Sequence, residues 1–533
     1  MSESTPTTDP APTTDPAPYA RYPGHPPPSP PPPIWPGPAT PAGPVPLAAA
    51  AAAGVLAALL VPLDRPGIGW SLAGLAMAAA VIITLLHLRP HRRYHADLPA
   101  RPGWRPPRGP TRTGAATWAA TALLLLAVGA VRSAGWVFLL CLLAAAAAVV
   151  AALTGGRTVR GLALGSLLVP AAVMRGAAWA GRGTVAGRGT VAGRRTGPAW
   201  RPGRTAAATG LVLLVFGTLL ISADAAFSRL LREVIPPLDA ASLGRWSVLF
   251  VLGAGGVLAA VFLRLAPPAL DPDPHPRVSD ATVQPAEWMI PVATLVTLFA
   301  GFVAVQVTVL FGGASYVLGP DGPTYAEYAR SGFWQLLTVT ALTLVVIAVV
   351  ARIAPRHTTA QRRWLRALLG ALAMLSLVIV ASALLRMHTY QEAYGFTRLR
   401  VLVSVVELWL GLVFLLVLVA GVRLRAHWWP RAVVATGIAA VLALSALNPD
   451  RFIAERNIAR WADGQYLDVR YLAGLSADAA PVLVCLPDRH RERALAQLRT
   501  YLGDRTDWRS ANLARATARD VLADPDTAGC PPR

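Results

Sequence analysis

The residues best suited to chemistry lie between Arg386 and Glu407. Arg386-Met387-His388-Thr389-Tyr390-Gln391-Glu392-Ala393-Tyr394-Gly395-Phe396-Thr397-Arg398-Leu399-Arg400 is the most polar short stretch bounded by apolar runs, and Glu407 follows seven residues later. On a helix that spacing puts Glu407 on nearly the face of Arg400 and about 10 Å deeper. At membrane depth a carboxylate needs a partner from another helix, a water-filled cavity, or a proton. One reading is a proton- or substrate-binding carboxylate in a polar pocket, with Arg398 and Arg400 holding an anionic headgroup or substrate. The other is structural: Glu407 makes a helix-to-helix hydrogen bond and the arginines reach for the interface. His388 is a candidate proton-binding group, and Glu392 offers a second carboxylate for acid or base work. Asp224 opens a stretch in which Phe227, Leu230 and Leu231 recur at helical spacing, predicting a short amphipathic helix at the interface.

Other chemistries find no residues to carry them. Gly-x-x-x-x-Gly-Lys, His-Glu-x-x-His and Gly-x-Ser-x-Gly are all missing, which removes support for ATP-driven transport and zinc proteolysis. No cofactor and no metal are expected. Cys141 lies in an apolar run, while Cys485 and Cys530 lie in the polar C-terminal region without metal-ligand spacing. Given an exterior location for that region, Cys485 and Cys530 are disulfide candidates, the alternative being two unpaired thiols.

The elements that must position these groups are apolar. Hydrophobic residues make up 54% of the 533-residue chain and charged residues 14%, and long uncharged runs recur at membrane-spanning length. The sequence predicts an all-α integral membrane protein with eleven spans: 45–63, 68–88, 115–131, 135–153, 205–223, 246–263, 288–310, 333–351, 367–385, 401–421 and 432–447. Gly161–Met174 is only 14 residues long and contains Pro170, so it reads as re-entrant or interfacial. Gly253, Gly255 and Gly256 sit inside a span, where small residues permit close helix packing. Around this membrane domain (43–447) the sequence predicts a disordered proline-rich head (1–42), without a cleavable signal, and a small helical tail (448–533). The tail shows helical spacing at Ala494, Leu495, Leu498, Tyr501 and Leu502, with Asp488 as its capping candidate.

Arginine decides the orientation. The net charge is +21, and all 49 basic residues are arginines. With the short segment not crossing, the connectors 89–114, 154–204, 264–287, 352–366 and 422–431 share one side and carry 7, 9, 2, 5 and 3 arginines, against nine on the other side. Basic connectors stay cytoplasmic, which predicts a cytoplasmic N-terminus and an extracytoplasmic C-terminus. The charge then implies anionic lipids at the cytoplasmic face as partners, and no nucleic acid. Within the long basic connector Ala180-Gly181-Arg182-Gly183-Thr184-Val185 repeats immediately as Ala186–Val191, which reads as a flexible linker over 175–204.

The stretch Ser222–Leu231, the run Glu392–Arg400 and Glu407-Leu408-Trp409 together resemble a bacterial membrane-protein family catalogued as domain-of-unknown-function family 4173. The resemblance runs from about Thr205 to Leu486 and is most specific at Tyr394–Arg398. It implies a shared polytopic core and no particular reaction. The residues lead to a transporter not driven by ATP, or a sensor of envelope conditions, with an outward-facing polar pocket. The alternatives are a transferase acting on lipid-linked substrates and a structural scaffold.

Overall fold

The computed structural model describes residues 38, 42–88, 111–155, 159–189, 240–268, 284–311, 333–423, 428–503 and 507–530. Among them all regular structure is helical. The membrane part comprises α1 (Pro44–Leu60), α2 (Ile68–His87), α3 (Arg112–Val131), α4 (Gly135–Thr154), α5 (Val159–Gly189), α6 (Ala240–Leu265), α7 (Pro285–Phe311), α8 (Phe333–Ile353), α9 (Thr359–Tyr394), α10 (Arg398–Arg423) and α11 (Trp429–Leu447). The C-terminal part comprises α12 (Pro449–Ala462), α13 (Val469–Ala473), α14 (Ala480–Leu483), α15 (Asp488–Leu502) and α16 (Leu513–Ala523). The proline-rich head, the expected span 205–223 and Asp224 with its amphipathic stretch lie outside the described residues.

The helices form because the chain offers lipid nothing else: in hydrocarbon each backbone donor and acceptor must be satisfied within its own segment. Ten described helices, α2 to α11, are long and apolar enough to cross a membrane, and the 17-residue α1 is shorter but equally apolar. Their outward faces are greasy, as at Leu143, Leu252, Leu298 and Val422, all largely exposed. Small residues let α1 and α6 cross closely. A methyl group on Gly54 of α1 would lie 2.8 Å from Phe250 of α6, and one on Gly253 would lie 2.8 Å from Ala57, so the two helices approach at backbone distance.

Contacts fix the directions. Asp64, between α1 and α2, lies 4.0 Å from Arg245 near the start of α6. Arg431, at the start of α11, donates to the Gly155 carbonyl beyond the end of α4 at 2.6 Å. One face of the bundle therefore carries the connectors 61–67, 132–134 and 395–397 and the end of α11. The other carries the ends of α4, α6 and α10 and the starts of α1, α9 and α11. Of the acidic side chains described, only Glu287 belongs to this second face, beside many arginines.

Two expectations need correction. The short segment at Gly161–Met174 is part of the 31-residue α5, of which Leu164–Arg182 meets the length and hydropathy of a span. The helix outruns Arg175 because Trp179 and Ala180 are buried, Trp179 against Phe262 of α6. The expected flexible linker is accordingly helical as far as Gly189. In packing, Gly165 approaches Thr154 at the end of α4, while Val173 meets Gly255 and Gly176 meets Leu258. With the Trp179–Phe262 contact, this order shows the later part of α5 running alongside α6 in the same direction. The second correction concerns the polar stretch 386–400, which is not a loop. α9 continues for 36 residues through Tyr394, about 54 Å at the helical rise, so it must project beyond a hydrocarbon layer roughly 30 Å thick.

Only Gly395, Phe396 and Thr397 separate α9 from α10. Gly395 has φ +82°, in the left-handed region, and a Cβ there would meet Asn457 Oδ1 at 2.6 Å and Arg460 Nη1 at 3.0 Å. Glycine is required both by conformation and by the C-terminal part packed against it. Gly395→Ala is expected to destabilise the protein by about 1–3 kcal/mol, seen as a lower Tm of purified protein and earlier proteolytic release of the C-terminal helices.

Candidate functional site

The polar residues converge at a junction between the α9–α10 turn and the C-terminal helices, not around an open pocket. Asn448 adopts the left-handed conformation (φ 54°) and Pro449 starts α12, so the chain bends as it leaves α11 and lays α12 across the bundle. The C-terminal part builds an apolar core on Ile453, Leu472, Leu483, Leu495, Leu498 and Val521, which is continuous with Phe396, Val401 and Leu444 of the bundle. The predicted spacing in α15 is confirmed: Ala494, Leu495, Leu498 and Leu502 are buried, and Tyr501 is exposed. Asp488 is not a cap. It is the first residue of α15 and pairs with Arg491.

Asp450 is the centre of the junction. It is 0% exposed and receives Arg398 Nε at 2.9 Å on Oδ1 and Arg398 Nη2 at 2.5 Å on Oδ2. The Trp136 indole donates to Oδ1 at 3.1 Å and the Ser476 backbone N–H to Oδ2 at 2.8 Å. One carboxylate thus joins α4, α10, α12 and the segment before α14. Burial alone would push the Asp450 carboxyl up, but the Arg398 guanidinium and Ser476 hold it below the usual carboxylate range. Arg398 is further fixed through its backbone N–H, which donates to the Tyr471 hydroxyl at 2.7 Å; burial pushes that phenol up.

A second buried aspartate repeats the device. Asp478, 3% exposed, accepts from the Ser133 and Ala134 backbone N–H groups at 2.8 and 3.0 Å and from the Ser133 and Ser476 hydroxyls at 2.7 and 2.9 Å. It thereby satisfies donors at the start of α4, where helical N–H groups lack partners and the helix dipole favours negative charge.

Arginine and asparagine side chains serve the opposite need at helix C-termini. Arg460 donates to the carbonyls of Glu392 and Ala393 at 2.7 and 2.8 Å, and Asn457 pairs with both the N–H and the carbonyl of Phe396 at 2.8 Å each. Asn512 reaches the carbonyls of Gly129 and Arg132, and the buried Arg515 reaches that of Pro66. The C-terminal helices act as a common cap for α3 and α9 and hold the connector between α1 and α2.

The expected site residues divide accordingly. Arg398 is committed to Asp450. Arg400 folds back onto the carbonyls of Tyr394 and Gly395 and lies 4.1 Å over the Tyr390 ring. Glu392 and His388 are exposed and sit 3.9 Å apart on successive turns of α9. Glu407 is 3% exposed, and its Oε2 has no hydrogen-bond partner among the described residues. Other polar contacts on these helices are separate: Gln391 donates to Ser404, while Gln306 of α7 accepts from Ser382 and Arg386. Cys485 and Cys530 have their sulfurs 2.07 Å apart, as a disulfide, and Cys141 is free and buried. No group of three metal-ligating side chains occurs among the described residues. Asp450, Asp478, Asn457, Arg460 and Tyr471 were not anticipated from sequence.

A family model described as Domain of unknown function (DUF4153) matches residues 119–486, well over half of the chain. The chain belongs to the DUF4153 family. The resemblance to family 4173 is not confirmed, although its expected end at Leu486 coincides with the end of this match. No curated protein and no solved structure matches the chain. The DUF4153 region contains Arg398, Asp450, Tyr471 and Asp478, and leaves out α1, α2, α15 and α16. Those outer pieces pair with one another: the Ile68 N–H donates to the Ala511 carbonyl at 3.0 Å, Arg509 reaches Leu59, Arg515 reaches Pro66, and Arg65 lies over the Tyr501 ring.

Because the folded state holds Asp450 below its ordinary pKa, its contribution is complete above about pH 4 and is lost as pH falls through the lower folded value. Limited proteolysis of the C-terminal helices should therefore be flat from pH 7 to pH 5 and accelerate below about pH 4. Asp450→Asn should release them already at pH 7.

Proposed function

We propose that this chain is a membrane-embedded sensor whose C-terminal helical domain, outside the membrane, reads external conditions and passes them to the α9–α10 hairpin. The observation that carries the reading is the grip on the hairpin's tip: Asp450, Asn457, Arg460 and Tyr471 hold Arg398, Phe396 and the end of α9 together. A change in how that domain sits must move the turn, and two continuous helices lead from the turn to the opposite face.

The extracytoplasmic placement of the domain is supported by two independent features. Arginine-bearing connectors concentrate on the other face, where α1 also begins, and this favours a cytoplasmic N-terminus. The Cys485–Cys530 pair suits an oxidising compartment. On this orientation the basic face meets the anionic lipids of the cell membrane's inner leaflet.

A transporter is the second reading, favoured by the unpartnered Glu407 oxygen within α10. Transfer to lipid-linked substrates draws less support, since Glu392 is exposed on α9 and Glu407 is buried on α10, so the two share no site. A scaffold keeps the docked domain but needs no coupling along the hairpin.

Spin labels at Thr359 and Val422, at the far ends of α9 and α10, separate these readings. The sensor requires that Asp450→Asn, which releases the domain, change the distance between the labels. An unchanged distance with the domain released would contradict coupling and leave the scaffold. A distance that instead responds to pH in wild type and not in Glu407→Gln would favour transport.

A further inference from the structure

At the end of the bundle opposite the C-terminal domain, a cavity of about 430 Å³ opens between α8, α9, α10 and the start of α11. Its walls are apolar, including Ile347, Leu369 and Leu418, and its volume falls in the range of sites for small amphiphiles, roughly 300–1,000 Å³. Three arginines, Arg352, Arg356 and Arg366, stand along its rim. Arg356 donates to the Ala351 carbonyl, whereas Arg352 and Arg366 have no hydrogen bond or ion pair with a described residue. The one acid described on this face, Glu287, accepts from the backbone N–H of Gln284 at 3.1 Å. Trp429 also lines the cavity, and its buried indole N–H has no partner among the described residues. An apolar slot with two guanidinium groups and an indole donor that no described residue pairs matches one amphiphile in chemistry and position: a membrane lipid with an anionic headgroup.

We infer that this cavity binds one anionic glycerophospholipid of the bilayer, an acyl chain lying along α9 and α10 and the phosphate held by Arg352 and Arg366. The arginines supply charge-assisted bonds that a zwitterionic headgroup weakens with its own cation. Gly370 lines the same cavity, and a Cβ added there meets nothing within 4 Å, so a larger apolar residue fits at this position and fills the chain's place. The site does not depend on the sensor reading, because it lies at the other end of the hairpin.

The test is native mass spectrometry of the full chain in detergent, titrated with phosphatidylglycerol, phosphatidylcholine or glycerol 1-phosphate. Wild type should retain one phosphatidylglycerol in preference to phosphatidylcholine and bind no glycerol 1-phosphate. The double substitution Arg352→Gln with Arg366→Gln should weaken phosphatidylglycerol roughly twenty-five-fold, at about fivefold per arginine. Gly370→Leu should weaken both lipids while leaving the arginines in place. Arg112→Gln, on the same face and away from the cavity, should change neither. Equal retention of the two lipids, an equal loss in Arg112→Gln, or undiminished binding in Gly370→Leu would each overturn the inference, the last independently of whether the arginine variant folds. Binding of glycerol 1-phosphate at the affinity of the lipid would also overturn it, by showing a free-phosphate site.

Discussion

A carboxylate with no exposed surface needs a strong partner, and the arrangement of this protein follows from how Asp450 is supplied with one. Desolvating an ion costs several kcal/mol, which is recovered only where geometry is good and the remaining lone pairs are filled. Asp450 meets both conditions, with two bonds from Arg398 and one each from Trp136 and Ser476. Those donors come from separate parts of the chain, so satisfying the carboxylate also fixes where α12 lies, how α10 begins and how the chain enters α14. Asp478 does the same for the turn between α3 and α4.

This accounts for the concentration of polar residues at one face. Helices that end at a membrane surface leave carbonyls and N–H groups without partners, which water usually satisfies. Here a folded domain takes water's place: aspartates at the α4 and α10 starts, arginine and asparagine at the α3 and α9 ends. A chain whose basic residues are all arginine is well suited to this, because a guanidinium can serve two carbonyls or both oxygens of a carboxylate. The pairing of α1 and α2 with α15 and α16, all outside the DUF4153 match, extends the same contact beyond the family region without altering its centre.

Uninterrupted apolar runs made most of the helices legible in the sequence, because lipid admits little else. The end of α9 was not legible. Arg386, His388 and Glu392 mark where a helix leaves hydrocarbon, but nothing in them ends a helix, and α9 continues until Gly395 is forced to turn. Similarly, the apolar run Gly161–Met174 is only 14 residues long, while Trp179 and Ala180 bury the next turn beyond it and extend the helix. Arg398 was recognised as a candidate, but its pairing with Asp450 was not. Its partner Asp450 belongs to a tail with nearly balanced charge, and in such a segment an aspartate reads as solvated. Only the tight Asn448-Pro449-Asp450 exit from α11 hints that it is pressed against the bundle.

The most direct measurement of this account is a double-mutant cycle between Arg398→Gln and Asp450→Asn, read as unfolding free energy of the C-terminal helices in the full chain at pH 7. Direct pairing predicts a coupling toward the upper part of the range for contacting residues, about 2–3 kcal/mol. Losses that simply add, within about 0.5 kcal/mol, would show that the two residues stabilise the protein separately and would contradict the ion pair as the hold between domain and bundle.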